Sequence, residues 1–320
     1  MNKIIALLML ATALAACSSQ PNPVAPGFSQ PVPNRIAPAP PNSGATAVPA
    51  LQVILVPSEL IVGPNRFAIG LIDPQRGMIH DATVHFRYFD LRDPTKPTLE
   101  SEADATELQT PDGESTIFAQ EREFARAGSW GVEVQARLPD GSTLDRGIGF
   151  KVVDRSATLK PGDRVPSLQT RTYKDVDGNL HQLTSAPNPN PAFYRLSLAQ
   201  ALTNGKPTVL LFSTPAFCQT RLCGPAYDLI SQLERQYRDQ VNFIHVEVYR
   251  GLPNPAETNW ELDPAMTAFG LQTEPWVYVI DKGVVTFRVE GLFTGAEIEQ
   301  HLKALGATAP AQEGGTANNK

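Results

Sequence analysis

Apolar and polar positions alternate with period two through the first half of the chain, then give way to longer apolar runs and helical spacing. Val84, Phe86 and Tyr88 fall on one face of an extended segment, with Thr83, His85 and Arg87 on the other. Trp130, Val132, Val134, Ala136 and Leu138 repeat the pattern opposite Glu133, Gln135 and Arg137, and Pro139-Asp140-Gly141 follows as a turn. Ile148, Phe150 and Val152 resume it, and Gln52 to Val56 and Arg66 to Ile72 supply two more strands. Short half-buried strands with turn residues between them and no convincing helix predict an antiparallel β-sandwich over 51–154.

After Gly162-Asp163-Arg164-Val165-Pro166 and a polar stretch rich in Asp, Asn and Pro, the pattern changes. Leu196 to Leu202 suits a short helix that Gly205-Lys206-Pro207 ends. Thr208 to Phe212 is continuously apolar, as in a strand buried on both faces. From Gly224 to Arg238, Ala226, Leu229, Ile230, Leu233 and Tyr237 form a helical stripe. Val241 to Val248 is a further strand, and Pro264 to Phe269 a short helix stopped by Gly270. Trp276 to Ile280 and Val284 to Val289 flank Asp281-Lys282-Gly283 as a hairpin. Thr294 and Glu297 form a capping box before a last helix with Ile298, Leu302 and Leu305 inward. The predicted order over 155–306 is β-α-β-α-β-β-α, an α/β fold. By its strand pattern, the sandwich over 51–154 resembles the immunoglobulin-like modules of bacterial surface proteins.

The ends read differently. Residues 20–50 carry nine prolines and few large apolar groups, so they are expected to form a semi-extended tether within 17–50 rather than a core. Residues 307–320 are expected to be a disordered tail. Residues 1–16 combine Lys3 with an apolar run too short to span a bilayer comfortably, the pattern of an export signal. Leu14-Ala15-Ala16-Cys17 resembles the lipobox of bacterial lipoproteins. That resemblance implies cleavage before Cys17, diacylation of its thiol, and an extracytoplasmic protein anchored to a bacterial membrane.

A net charge of −6 and a pI near 5.5 argue against nucleic acid as a partner. His80 and His85 have no Cys or Met cluster beside them and are expected to be solvated. No cofactor and no metal site is assigned.

With Cys17 lipidated, Cys218 and Cys223 remain, and in an oxidising compartment they are expected to pair. Residues five apart on one α-helix have Cα atoms about 8.6 Å apart. A disulfide needs less than about 7 Å. Cys218 is therefore expected in a loop, with Cys223 near the first turn of the following helix, whose dipole favours a thiolate.

The element order, a cysteine pair after the first central strand, and Thr273-Glu274-Pro275 before the hairpin resemble the thioredoxin fold. The resemblance implies a cis Pro275 facing the nucleophile Cys218, Cys223 as the resolving thiol, and a substrate groove formed by Phe217, Glu274 and Pro275. It implies exchange with exported client proteins that carry thiols or disulfides. Two departures stand out. Four residues separate the cysteines rather than two, and Phe212 occupies the place of the family's buried acid, leaving no evident proton acceptor for the resolving thiol. A purely structural disulfide in a binding or scaffold lipoprotein stays open as an alternative. So does copper handling, although neither His245 nor His301 is well placed for it.

Overall fold

The computed structural model describes residues 28–29, 51–218, 220–250 and 261–308. The signal segment, Cys17 and residues from 309 onward lie outside the described residues. Among the described residues no helix is long and apolar enough to cross a membrane. The described chain is rich in β-structure, arranged in three sheets.

Two of the sheets form a sandwich. One pairs β2 (Gln52–Leu55), β3 (Gly63–Asp73), β8 (Thr116–Phe124) and β7 (Thr106–Gln109) in that order, with β4 (Gly77–Met78) against β3. The other pairs β1 (Phe28–Ser29), β10 (Thr143–Val152), β9 (Gly128–Arg137), β5 (Thr83–Asp90) and β6 (Thr98–Asp104). Phe67, Ile69 and Leu71 of the first sheet meet Phe86, Tyr88, Val132, Val134 and Phe150 of the second in one core. The expected alternation holds in β5 and β9: Val84, Phe86 and Tyr88 are buried, as are Val132 and Val134. His85 sits on the polar face against Asp104, 2.7 Å away. His80 is half-buried and hydrogen-bonded to Thr116, so its expected full solvation is corrected.

Beyond the two-residue strands β1 and β4, the sequence pattern does not disclose β6, β7 and β8. β6 is a polar edge strand, and β7 carries a single large apolar residue, Leu108. In β8, Ile117, Phe118 and Ala119 are buried in succession. Phe118 faces the sandwich core, while Ile117 and Ala119 pack with Ala68, Leu292 and Leu222. This sheet is covered on both faces, so it cannot alternate. The expected tether also needs correction, because β1 adds parallel to β10 at Phe28 and Ser29.

The third sheet orders β12 (Asn242–Glu247), β11 (Thr208–Ser213), β13 (Trp276–Asp281) and β14 (Val284–Glu290). β12 runs parallel to β11, and the β13–β14 hairpin runs antiparallel. β11 is buried throughout, as its apolar run predicts. Val209 and Leu211 face α2 (Cys223–Tyr237) and α4 (Gly295–Ala304); Leu210 and Phe212 face α1 (Leu198–Ala201) and α3 (Pro264–Phe269). Helical content is low because α1 and α3 span only four and six residues.

The polar stretch before α1 folds as three short 3₁₀ turns, Tyr173–Val176, Leu180–Gln182 and Pro191–Tyr194. They bury Val176, Leu183, Phe193 and Tyr194 in the α2 core. The expected tail starts too early: Ala307 is buried, and Thr308 exchanges two hydrogen bonds with Gln240.

The sandwich meets the mixed sheet through paired charges. Arg66 Nε lies 2.8 Å from Glu297 and Arg288 Nη2 3.0 Å from Glu59. Ser58 donates from its backbone N–H and hydroxyl to Glu290, each at 2.8 Å. Leu222, the residue before Cys223, packs into this junction.

Candidate functional site

β11 ends at Ser213, and the chain turns through Thr214, Pro215 and Ala216 before α2. Backbone N–H groups of Phe217 and Cys218 donate to the Thr214 carbonyl at 3.2 and 3.1 Å. Arg221 adopts a left-handed φ of 60° and donates to the Cys218 carbonyl at 3.3 Å. This tight turn brings the two cysteines to a Cα–Cα distance of 5.8 Å, and they form a disulfide. Cys218 lies in the loop, partly exposed; Cys223 is the first residue of α2 and fully buried. That is the arrangement the spacing required.

Pro275 follows a cis peptide bond from Glu274. Its carbonyl accepts from Gly291 at 2.9 Å, which fixes the segment to the end of β14. The structure brings Glu274 to the cysteines: a carboxylate oxygen and both sulfurs all lie within 4.8 Å of one another. Phe217 sits in the same turn, half-exposed. Phe217, Glu274 and Pro275 thus share one end of the sheet, with a Glu274 carboxylate oxygen near both sulfurs.

Phe212 is buried against Phe269 and Tyr278, at 5.0 and 6.2 Å between ring centroids, on the face away from α2. Acidity reaches the site from other elements. Glu247, at the end of β12, pairs in register with Ser213. Burial pushes its carboxyl up to about 7; hydrogen bonds from Ser185 and the proximity of Thr214 oppose the rise, and the Glu274 charge adds to it. Ser185 donates to Glu247 from its N–H at 2.8 Å and its hydroxyl at 3.1 Å, and the same hydroxyl accepts from Ala216 N–H at 3.1 Å. Glu247 is therefore tied to the turn that carries Cys218. Burial also raises the Glu274 carboxyl, with Thr214 opposing. Thr214 lowers both carboxyls through proximity, yet neither Thr214 Oγ1 nor Glu274 Oε2 has a partner in hydrogen-bonding geometry.

Behind Glu247, His245 is buried. Its Nδ1 meets the Tyr194 hydroxyl at 2.8 Å, and its Nε2 meets Ser213 Oγ at 3.0 Å and the Ser213 carbonyl at 2.9 Å. Burial drives its pKa down to about 3, so the ring is neutral and structural. His301 stacks on Phe287 at 3.8 Å, beside the sandwich junction and away from the disulfide turn. The signal that could have found Glu247 is a lone acid inside the apolar run Phe243-Ile244-His245-Val246-Glu247-Val248. Ser185 and Thr214 carried no such signal.

No family model and no curated protein matches the chain. Among solved structures, the soluble domain of PmoD from Methylocystis sp. ATCC 49242 (Rockwell) is similar at 16% identity and a TM-score of 0.21, over 31% of this chain and 90% of that one. A likeness of that degree carries no argument about fold or function.

Proposed function

We propose that residues 155–306 form a thioredoxin-like domain behind an immunoglobulin-like sandwich, and that the chain is a thiol–disulfide oxidoreductase. It would act on exported proteins from a lipid anchor at Cys17. The observation that carries this is the Cys218–Cys223 disulfide at the start of α2, with Glu274 and cis Pro275 beside it. The mixed β12-β11-β13-β14 sheet with helices on both faces supports the same assignment. In the exchange step the partly exposed Cys218 thiolate attacks a client disulfide sulfur, and one client thiolate leaves. Cys223 then attacks Cys218 in the mixed disulfide, regenerating the internal bond and releasing the client as a dithiol. The helix dipole favours the Cys223 thiolate, and the nearby Glu274 carboxylate would receive its proton.

A second assignment is a scaffold lipoprotein with a structural disulfide. It is favoured by the complete burial of Cys223 and by Leu222 packing against the sandwich. Equilibration of the full chain with glutathione or dithiothreitol buffers separates the two. Exchange requires a potential in the range of exchange catalysts; a value below about −300 mV would leave only the structural role.

A further inference from the structure

The disulfide turn gathers more than two sulfur atoms. Cys218 Sγ, Cys223 Sγ and a Glu274 carboxylate oxygen lie within 4.8 Å of one another, supplied by the loop before α2, the first residue of α2 and the segment before β13. Oε2 of Glu274 is buried with no hydrogen-bond partner among the described residues. A buried acceptor left unmade is destabilising, and a bound cation would satisfy it. Partly exposed Cys218 opens the cluster to solvent on one side.

Zinc binds thiolates at about 2.3 Å and carboxylate oxygens at about 2.0–2.2 Å in tetrahedral geometry, and accepts three protein ligands with an open fourth position. Ligand atoms on one such ion stand roughly 3.5–3.8 Å apart by that geometry. The three donors therefore need only small shifts once the S–S bond is broken, and Cys218 sits in a loop that can supply them. Copper(I) fits less well, because a carboxylate is a hard ligand and copper(I) selects sulfur and imidazole. His245 cannot complete a copper site, since both of its ring nitrogens are engaged by Tyr194 and Ser213.

We infer that the dithiol form of this protein binds one zinc ion through Cys218, Cys223 and Glu274, and that the disulfide form does not. A dithiol reductant supplies the two electrons and two protons that convert the S–S bond into two thiols, and itself leaves as a disulfide. Zinc entry sends both thiol protons to solvent. A disulfide-bearing oxidant would accept two electrons from the zinc-bound pair, with two protons from solvent. The Cys218–Cys223 bond re-forms, the oxidant leaves as a dithiol, and Zn²⁺ is released. Binding needs only the reduced pair; the release step alone rests on thiol exchange.

The test is a zinc titration of the full chain against a competing chromophoric chelator, with reduced and oxidised protein in parallel. Cobalt(II) serves as a spectroscopic probe of thiolate ligation. One equivalent is expected for the reduced protein and none for the oxidised. Cys218→Ser should abolish the thiolate-to-cobalt band of a two-sulfur site. Glu274→Gln should weaken zinc by about tenfold or more, with Glu274→Asp recovering part of the loss. Far-ultraviolet circular dichroism of each reduced variant confirms that it is folded. No uptake by the reduced wild type, or unchanged affinity in folded Glu274→Gln, overturns the site. The reduction potential, measured in a metal chelator, reports on exchange separately. Zinc uptake with a potential in the resistant structural range upholds the site and retires exchange. An exchange-range potential without uptake does the reverse.

Discussion

A carboxylate oxygen of Glu274 lies within 4.8 Å of the Cys223 sulfur, although the two residues are 51 positions apart in the chain and Cys223 has no solvent exposure. A buried thiol cannot hand its proton directly to water, so a neighbouring carboxylate decides how readily it becomes a nucleophile. If Cys223 resolves the mixed disulfide, Glu274→Gln should prolong that intermediate by roughly a hundredfold, the lower end of general-base contributions. Attack by the more exposed Cys218 should change much less. Acid quenching of single-turnover mixtures and mass spectrometry of the trapped adduct measure both steps. A wild-type lifetime in the variant would remove Glu274 from the resolving step.

His245 and Glu247 sit two residues apart on β12 and should oppose each other in the pH dependence of stability. Burial lowers His245 from 6.5 to about 3. Between those values the unfolded chain holds one more proton, so stability falls as pH falls, by about 1.4 kcal/mol per unit. Burial raises Glu247 from 4.5 to about 7. Between those values the folded chain holds one more proton, so stability falls as pH rises, with the same slope. From pH 4.5 to 6.5 the two contributions cancel. Glu247→Gln removes one of them and should make stability climb with pH across that window, by about 1.4 kcal/mol per unit relative to wild type. Urea unfolding at three pH values checks this; a variant with the wild-type profile would refute it.

The physical basis of these pairs explains what the sequence could and could not disclose. β5, β9, β11 and α2 were legible because each buries a periodic stripe, and the periodicity is local. The loop position of Cys218 was legible because helix geometry forbids the alternative. β8 was not, because both its faces are covered and its apolar run is cut short by Gln120, Glu121 and Arg122. Phe193 and Tyr194 lie in a segment whose composition is that of a loop, and only the fold gives them a core to enter. The acids near the disulfide were hidden for a related reason. The thioredoxin resemblance points to an acid at the position of Phe212 on the strand before the cysteines, whereas Glu247 comes from the neighbouring strand and Glu274 from the segment before β13. Proximity across a sheet leaves no trace in sequence spacing.

Arg288 and Glu59 join the two parts of the molecule through a pair in which each side chain is only 13% exposed. Arg288 also donates to Ser156, to Thr158 and to the Leu159 carbonyl, and Glu59 accepts from Ala157 N–H at 2.9 Å. Hydrogen bonding and the Arg288 charge hold the Glu59 carboxyl below its ordinary value despite the opposing effect of burial. Arg288→Ala should leave that carboxylate buried without its cation and destabilise the protein by about 3 kcal/mol. Glu59→Gln, which keeps an acceptor for the connecting segment, should cost less. Limited proteolysis between 153 and 160 should accelerate in Arg288→Ala. Unchanged cleavage and an unchanged unfolding midpoint would mean that the pair does not fasten the junction.

The same connecting segment is clamped from the other side at Gly270. This residue caps α3 in a left-handed conformation, φ 73°, and donates its N–H back into the helix. A Cβ there would overlap the carbonyl oxygen of Ala157, and Leu159 N–H donates to Phe269 at 3.1 Å just beside it. Gly283 has nearly the same φ, 74°, but a Cβ there meets nothing within 4 Å. Both alanine variants should lose about 1 kcal/mol to the left-handed backbone. Gly270→Ala should lose a further 1–3 kcal/mol, roughly, because the Ala157 backbone must move away. The difference between the two variants in chemical unfolding isolates that close approach. If Gly270→Ala and Gly283→Ala unfold alike, the connecting segment is not held against the end of α3.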